Sequence, residues 1–366
     1  MLKKNRKFYV TEPSLPPLEE CIPYFEKIWK TKWVTNNGYY LREFENQLGK
    51  YLNENHLSVV NNATSGLMIA QKCLNFSGEI ITSPFSFIAT ASSIDWIGLK
   101  PVFVDTDKIY GNLDPKKVEE AITPDTGGIL ATHNFGFPAP IEELEQISLK
   151  YKIPLIFDAA PAIGVRYKDK SITSYGDSCV LSFHATKIFT TIEGGAVITR
   201  NALKKDQVDK LRNFSIENED EVSGPGINAK LNELQAVIGL LQLVNLDCEI
   251  AGRKLRYNQY SNLLSKNSKF SIPPIKQNTH YNYAYFPIYA QEDIKFRDRV
   301  VEKLKKENIH CRKYWYPTLN EHQYYRMIDG AYPNAKKLSE GIISLPMGNS
   351  ICEEVVKQIS ETINNI

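Results

Sequence analysis

Lys187 closes the run Ser182-Phe183-His184-Ala185-Thr186-Lys187, between an apolar stretch, Cys179 to Phe183, and a Gly194-Gly195 break that leads into Ala196 to Thr199. Both flanks read as buried strands, so the lysine is tied to a defined place. A lysine held in this way suits Schiff-base formation with an aldehyde cofactor. Upstream, Phe157-Asp158-Ala159-Ala160 ends another apolar run with a carboxylate. Pyridoxal phosphate calls for this pairing: a lysine for its aldehyde and a carboxylate that keeps its ring nitrogen protonated.

Asn61-Asn62-Ala63-Thr64-Ser65-Gly66-Leu67 lies where a strand turns into a helix. Small residues there let backbone amides approach an anion, and a helix N-terminus favours negative charge. A capped helix start without a ligand fits these residues equally well. The stretch is neither a Walker loop nor a dinucleotide fingerprint, because the required Lys-Ser and Gly spacing are missing. Phe85-Ser86-Phe87 follows a strand end and offers rings either to the core or to a flat heteroaromatic ligand. Asp158 could serve a cofactor nitrogen or cap a helix. His184 reads as a positioning or structural histidine rather than a general base.

From about residue 55 to 200 strands and helices alternate, the pattern of an α/β fold with a mostly parallel sheet covered on both faces. Asp114-Pro115 opens one of these helices with a cap and a first-turn proline. A long apolar stripe from Ala229 toward Ser265 predicts a helix bridging to a smaller domain, followed by a strand over His280 to Tyr289 and helices over Asp293 to Asn308 and Cys352 to Asn364. The expected organisation is an arm with two helices at 1–50, a large domain at 51–245 and a smaller α+β domain at 246–366. A chain of 366 residues is long enough for this division. The net charge of +2 makes no electrostatic case for nucleic acid or membrane binding. Lys3-Lys4-Asn5-Arg6-Lys7 is basic but is followed by Tyr9-Val10-Thr11-Glu12-Pro13, so it does not read as a signal peptide. No run approaches the roughly 18 apolar residues of a membrane span. The six cysteines are scattered, without metal-ligand spacing, and read as reduced cytoplasmic thiols.

Six ordered motifs then carry a family resemblance: Asn62 to Leu67, Ser83 to Thr90, Phe157 to Ala160, Ser182 to Lys187, Thr190 to Val197, and Gly226 to Ala236, with Gly341 to Met347 near the end. The chain resembles the sugar aminotransferases of the DegT/DnrJ/EryC1/StrS family. That resemblance implies an aspartate aminotransferase-like fold with a seven-stranded-type sheet, pyridoxal 5'-phosphate, and a homodimer with shared active sites. Lys187 would be the Schiff-base lysine and proton shuttle, Asp158 the partner of the pyridine nitrogen, and Phe87 the residue stacked on the ring. The Ala63 main chain, Thr64 and Ser182 would hold the phosphate, with Asn228 reaching in from a partner subunit. Pro161 departs from the pattern, because family members often place His or Gln there, near the ring oxygen. Dehydratases in the family carry histidine where Lys187 stands, so the lysine points to transamination. His184 to Lys187 with Thr190 to Gly195 resembles members that aminate dTDP-4-keto-6-deoxyglucose at C4 with L-glutamate, in O-antigen sugar synthesis. Another keto-sugar nucleotide, UDP- or GDP-linked or aminated at C3, is the alternative. A cofactor-binding regulator without turnover is the rival of another class.

Overall fold

A computed structural model describes residues 6–326, 330–348 and 351–366, so Lys3, Lys4 and Asn5 of the basic cluster lie outside the described residues. Its centre is a seven-stranded sheet of β1 (Leu57–Val60), β2 (Glu79–Thr82), β3 (Lys100–Phe103), β4 (Thr126–Thr132), β5 (Leu155–Asp158), β6 (Ser178–Ser182) and β7 (Gly195–Thr199). The spatial order is β1-β7-β6-β5-β4-β2-β3. Only β7 runs against its neighbours; every other pair is parallel. Successive residues of a strand point to opposite faces, and here both faces are dry. Val59, Ile81, Ile129, Phe157, Leu181 and Ile198 enter one apolar cluster. Their neighbours Val60, Ile80, Leu130, Ile156, Val180 and Val197 enter another on the other side. Burial on two faces explains why these strands read as continuous apolar runs rather than alternating ones.

The predicted long helix spans Glu233–Leu264. It crosses the expected boundary at 245/246 without a break. By length and composition it could also cross a bilayer, contrary to the expectation that no segment comes close. In the fold it packs against Leu18–Thr31, Tyr39–Leu52 and Glu353–Asn364, with the buried ion pair Arg253–Glu249 at 2.7 Å. At its start Glu233 accepts from the backbone amides of Tyr40 and Leu41 at 2.8 and 2.9 Å, capping the neighbouring helix with a carboxylate. A side chain at Gly38 would lie 2.4 Å from the Glu233 carboxyl carbon, so it would push that carboxylate off the two amides.

The C-terminal part has a three-stranded antiparallel sheet of Phe270–Ser271, Phe286–Ala290 and Ile342–Leu345. The strand expected over His280 to Tyr289 is two pieces: Thr279–His280 pairs with Arg166–Tyr167, and Phe286–Ala290 joins the small sheet. Tyr283, at φ 55°, turns the chain between them, and the Asn282 side chain ties the turn to the Pro161 and Ile163 carbonyls. Phe8–Tyr9 pairs with Ile309–His310, so the first described residues of the arm pack with the C-terminal part.

Candidate active site

A cavity of about 310 Å³ opens at the C-terminal ends of the parallel strands, the edge where such sheets place their ligands. Asn62 and Ala63 reach it after β1, Ser86 and Phe87 after β2, Thr132 from β4, Asp158 from β5 and Ser182 from β6. Lys187, His184, Thr186 and Glu193 arrive from the loop joining β6 to β7. A segment from the C-terminal part, Arg312, Tyr314 and Trp315, forms the facing wall. Of the predicted residues, Ala63, Thr64, Phe87, Asp158, Ser182 and Lys187 all line this one cavity, whereas Asn228 does not. Asn228 is exposed, and its carbonyl accepts from the Asn61 side chain at 3.4 Å.

Asp158 is 5% exposed. Its Oδ2 accepts from the Thr90 hydroxyl at 2.7 Å and its Oδ1 from the Ala160 amide at 3.1 Å. The Thr90 oxygen in turn lies 2.7 Å from the Ser86 hydroxyl, and Thr132 donates to Ser86 at 3.5 Å. Because Thr90 gives its proton to the carboxylate, a line of hydroxyls points toward Asp158. Burial pushes the Asp158 carboxyl above the usual carboxylate range; the hydrogen bonds from Thr90 and Ala160 and the Lys187 charge oppose that shift. Asp158 is therefore not a helix cap but a buried carboxylate held by a turn amide and a threonine. The role of Thr90 was not evident from sequence, although it lies within the Ser83 to Thr90 motif.

Lys187 donates its amide to the His184 carbonyl at 2.9 Å. Its Nζ makes no hydrogen bond or ion pair with any described residue. His184 is a positioning residue: its Nδ1 accepts from the Thr186 amide at 3.2 Å, which leaves Nε2 to carry the proton, 3.5 Å from Glu193 Oε1. The ring thus ties the lysine loop to the turn that precedes β7.

Asn62 caps the helix Ala63–Cys73 by accepting from the Ser65 amide at 2.8 Å. The amides of Ala63 and Thr64 in the first turn remain without a partner among the described residues, and both residues line the cavity. β7 begins beside them. A side chain at Gly195 would lie 2.9 Å from Ala63 N, 2.8 Å from the Leu181 carbonyl and 3.0 Å from Asn62 C, all backbone atoms. Phe85 is core, but Phe87 is 55% exposed and stands at the cavity. Pro161 lines the cavity and offers no donor; its carbonyl accepts from Asn282 at 2.8 Å.

A model of the DegT/DnrJ/EryC1/StrS aminotransferase family matches residues 18–364. The chain belongs to that family. It is 40% identical over 362 residues to dTDP-4-amino-4,6-dideoxy-D-glucose transaminase of Escherichia coli, covering 97% of each chain. It is 39% identical over 365 residues to the enzyme of that name from Shigella dysenteriae, covering 99% of this chain and 100% of the relative. Among solved structures, DesI in the presence of its TDP-sugar product superposes with a TM-score of 0.93 at 29% identity, covering 99% of this chain and 93% of that one. Helicobacter pylori PseC, an aminotransferase of pseudoaminic acid biosynthesis, superposes with a TM-score of 0.91 at 26% identity, covering 98% and 99%.

This aminotransferase is pyridoxal phosphate-dependent, and the residues present fit that cofactor. Asp158 is a buried carboxylate that can take a cationic partner, Lys187 Nζ has no hydrogen-bond partner among the described residues, and Ala63 and Thr64 of a helix's first turn line the same cavity as Ser182.

Proposed function

We propose that this aminotransferase moves the amino group of L-glutamate to C4 of dTDP-4-keto-6-deoxy-D-glucose, giving dTDP-4-amino-4,6-dideoxy-D-glucose and 2-oxoglutarate. The observation that carries the reading is Lys187 and Asp158 lining one cavity with Ala63 and Thr64, in a chain similar to relatives named dTDP-4-amino-4,6-dideoxy-D-glucose transaminase. Pyridoxal phosphate, when bound, supplies an aldehyde for covalent attachment and a ring that accepts electron density.

The chain's own residues do the rest. Asp158, whose charged form the hydrogen bonds from Thr90 and Ala160 favour, would hold the proton on the ring nitrogen. The Ala63 and Thr64 amides, the Thr64 hydroxyl and Ser182 hold the phosphate at a helix N-terminus. Phe87 stacks on the ring. Lys187 Nζ takes the proton from the donor's Cα and delivers one to the acceptor's C4. The exposed apolar groups Trp29, Trp33, Tyr39, Ile192, Phe214 and Val222 support burial in a homodimer, in which the exposed Asn228 completes the partner's phosphate site. The enzyme works in the cytoplasm, where nucleotide sugars are made.

The test is incubation of purified protein with L-glutamate and a panel of keto-sugar nucleotides, with NMR assignment of the new amine. The expected product carries it at C4 of the dTDP sugar, and Lys187→Ala abolishes multiple turnover. A preference for a UDP or GDP sugar, or amination at C3, overturns the substrate; full turnover by Lys187→Ala overturns the mechanism.

A further inference from the structure

The segment Tyr314-Trp315-Tyr316-Pro317 has two sides. Tyr314 and Trp315 line the cavity, while Tyr316 turns back onto the fully buried guanidinium of Arg297 at 4.2 Å. Trp315 is held at three points, two on the indole and one on the backbone. Its Nε1 donates to Asn134 Oδ1 at 3.2 Å, and its own carbonyl accepts from the Ser339 hydroxyl at 2.7 Å. One face lies parallel to Phe135, 9° between planes at 6.3 Å. Asn134 cannot swing to follow another partner: its Nδ2 donates to the Phe85 and Gly111 carbonyls at 3.0 and 2.6 Å, and its amide to Asn112 Oδ1 at 2.9 Å. The indole therefore belongs to the large domain as firmly as to the C-terminal segment that delivers it.

Tyr314 packs on the same ring at 4.8 Å, and toward the large sheet the ring meets Phe87, 5.4 Å away and tilted by 48°. Phe87 begins the helix Ile88–Asp95, has no side-chain cap bond, and is half exposed. Trp315 is the one aromatic ring in contact with it among the described residues. An exposed phenylalanine at a helix start has several open rotamers, so the ring packed on it decides which is populated.

We propose that Trp315 is a positioning residue that sets the plane of Phe87, and through it the seating of the cofactor ring. The inference rests on the role of Phe87 given under Proposed function. It also makes cofactor seating depend on the C-terminal part, because Trp315 reaches the site on that segment.

The test is a double-mutant cycle of Trp315→Ala and Phe87→Ala on the full chain, with Trp315→Phe as the conservative variant. The readouts are the dissociation constant for pyridoxal phosphate and the visible circular dichroism of bound cofactor, neither of which needs a sugar substrate. An aromatic pair is worth roughly a threefold to tenfold change in binding. Trp315→Ala is expected to weaken cofactor binding by about that much and reduce the dichroic band, with Trp315→Phe restoring most of both. In the Phe87→Ala background, Trp315→Ala is expected to change nothing further, the signature of action through one residue. Additive losses in the cycle overturn the proposal, as does an unchanged dissociation constant and band in Trp315→Ala. If Phe87→Ala alone leaves both readouts unchanged, it is the stacking role of Phe87 that fails, and the inference falls with it. Should Trp315→Ala not fold, Trp315→Phe against Trp315→Leu gives the same comparison.

Discussion

Thr90→Val removes one proton donor and almost no volume. In the fold Thr90 gives a 2.7 Å hydrogen bond to Oδ2 of Asp158, a carboxylate that burial already makes hard to keep charged. A hydrogen bond to a charged group contributes roughly 1.5–3 kcal/mol. With about 1.4 kcal/mol per factor of ten, its loss lowers the fraction or strength of the charged Asp158 form by roughly tenfold to a hundredfold. Ser86 is not stranded by the change, because its hydroxyl also reaches the Phe87 carbonyl at 3.3 Å. The assay is the single-turnover reaction of the cofactor-loaded enzyme with glutamate, followed by the cofactor's visible band from pH 6 to 9. The rate at neutral pH is expected to fall by that factor. The acidic limb of the profile is expected to move to higher pH, because removing a donor to the charged form raises the carboxyl pKa further. Raising the pH should then recover part of the loss, and Thr90→Ser, which keeps the donor, should stay within about threefold of wild type. A Thr90→Val profile that overlays wild type would refute the reasoning. So would an equal loss at every pH that serine does not rescue.

Two further outcomes follow from the same geometry. The raised pKa of Asp158 means that its contribution to stability is full below the ordinary aspartate value near 3.9 and is lost as pH rises through the higher folded value; cofactor-free Asp158→Asn lacks this loss, so urea midpoints should show it gaining on cofactor-free wild type between pH 4 and pH 8, and a constant difference would contradict the assignment. Gly195→Ala places a methyl 2.8–3.0 Å from three backbone atoms, including the Ala63 amide nitrogen, so overpacking of about 1–3 kcal/mol should appear as a lower thermal midpoint together with about tenfold weaker cofactor binding; normal binding would mean that the Ala63 amide does not hold the phosphate.

Much of the sheet was legible because its strands are dry on both faces, so they appear in the chain as short, largely apolar runs; Leu155-Ile156-Phe157, closed by Asp158, is the plainest example. That Ala63, Thr64, Phe87, Asp158, Ser182 and Lys187 come together at one cavity was legible for the related reason that they cluster at the ends of those runs, whereas Asn228 does not join them. The segment around Tyr283 misled because its tyrosines alternate like a strand, whereas the Asn282 side chain bonds to carbonyls more than a hundred residues away and bends the chain. The capping of Tyr39–Leu52 by Glu233 was equally hidden: a glutamate at a helix start normally serves its own helix, and only packing showed that it serves another.

The sequence by itself determined the chemistry: the lysine after β6, the carboxylate that ends β5 and the small residues after β1 follow from local patterns, since strand ends and helix starts are encoded within a few residues. Tertiary structure alone decided what holds those groups ready. Thr90 meets Asp158 across sixty-eight positions of sequence, and Trp315 reaches Phe87 only because a segment from the C-terminal part closes one wall of the cavity. Such contacts join residues that share a neighbourhood in space and no periodicity along the chain, so no local pattern could announce them.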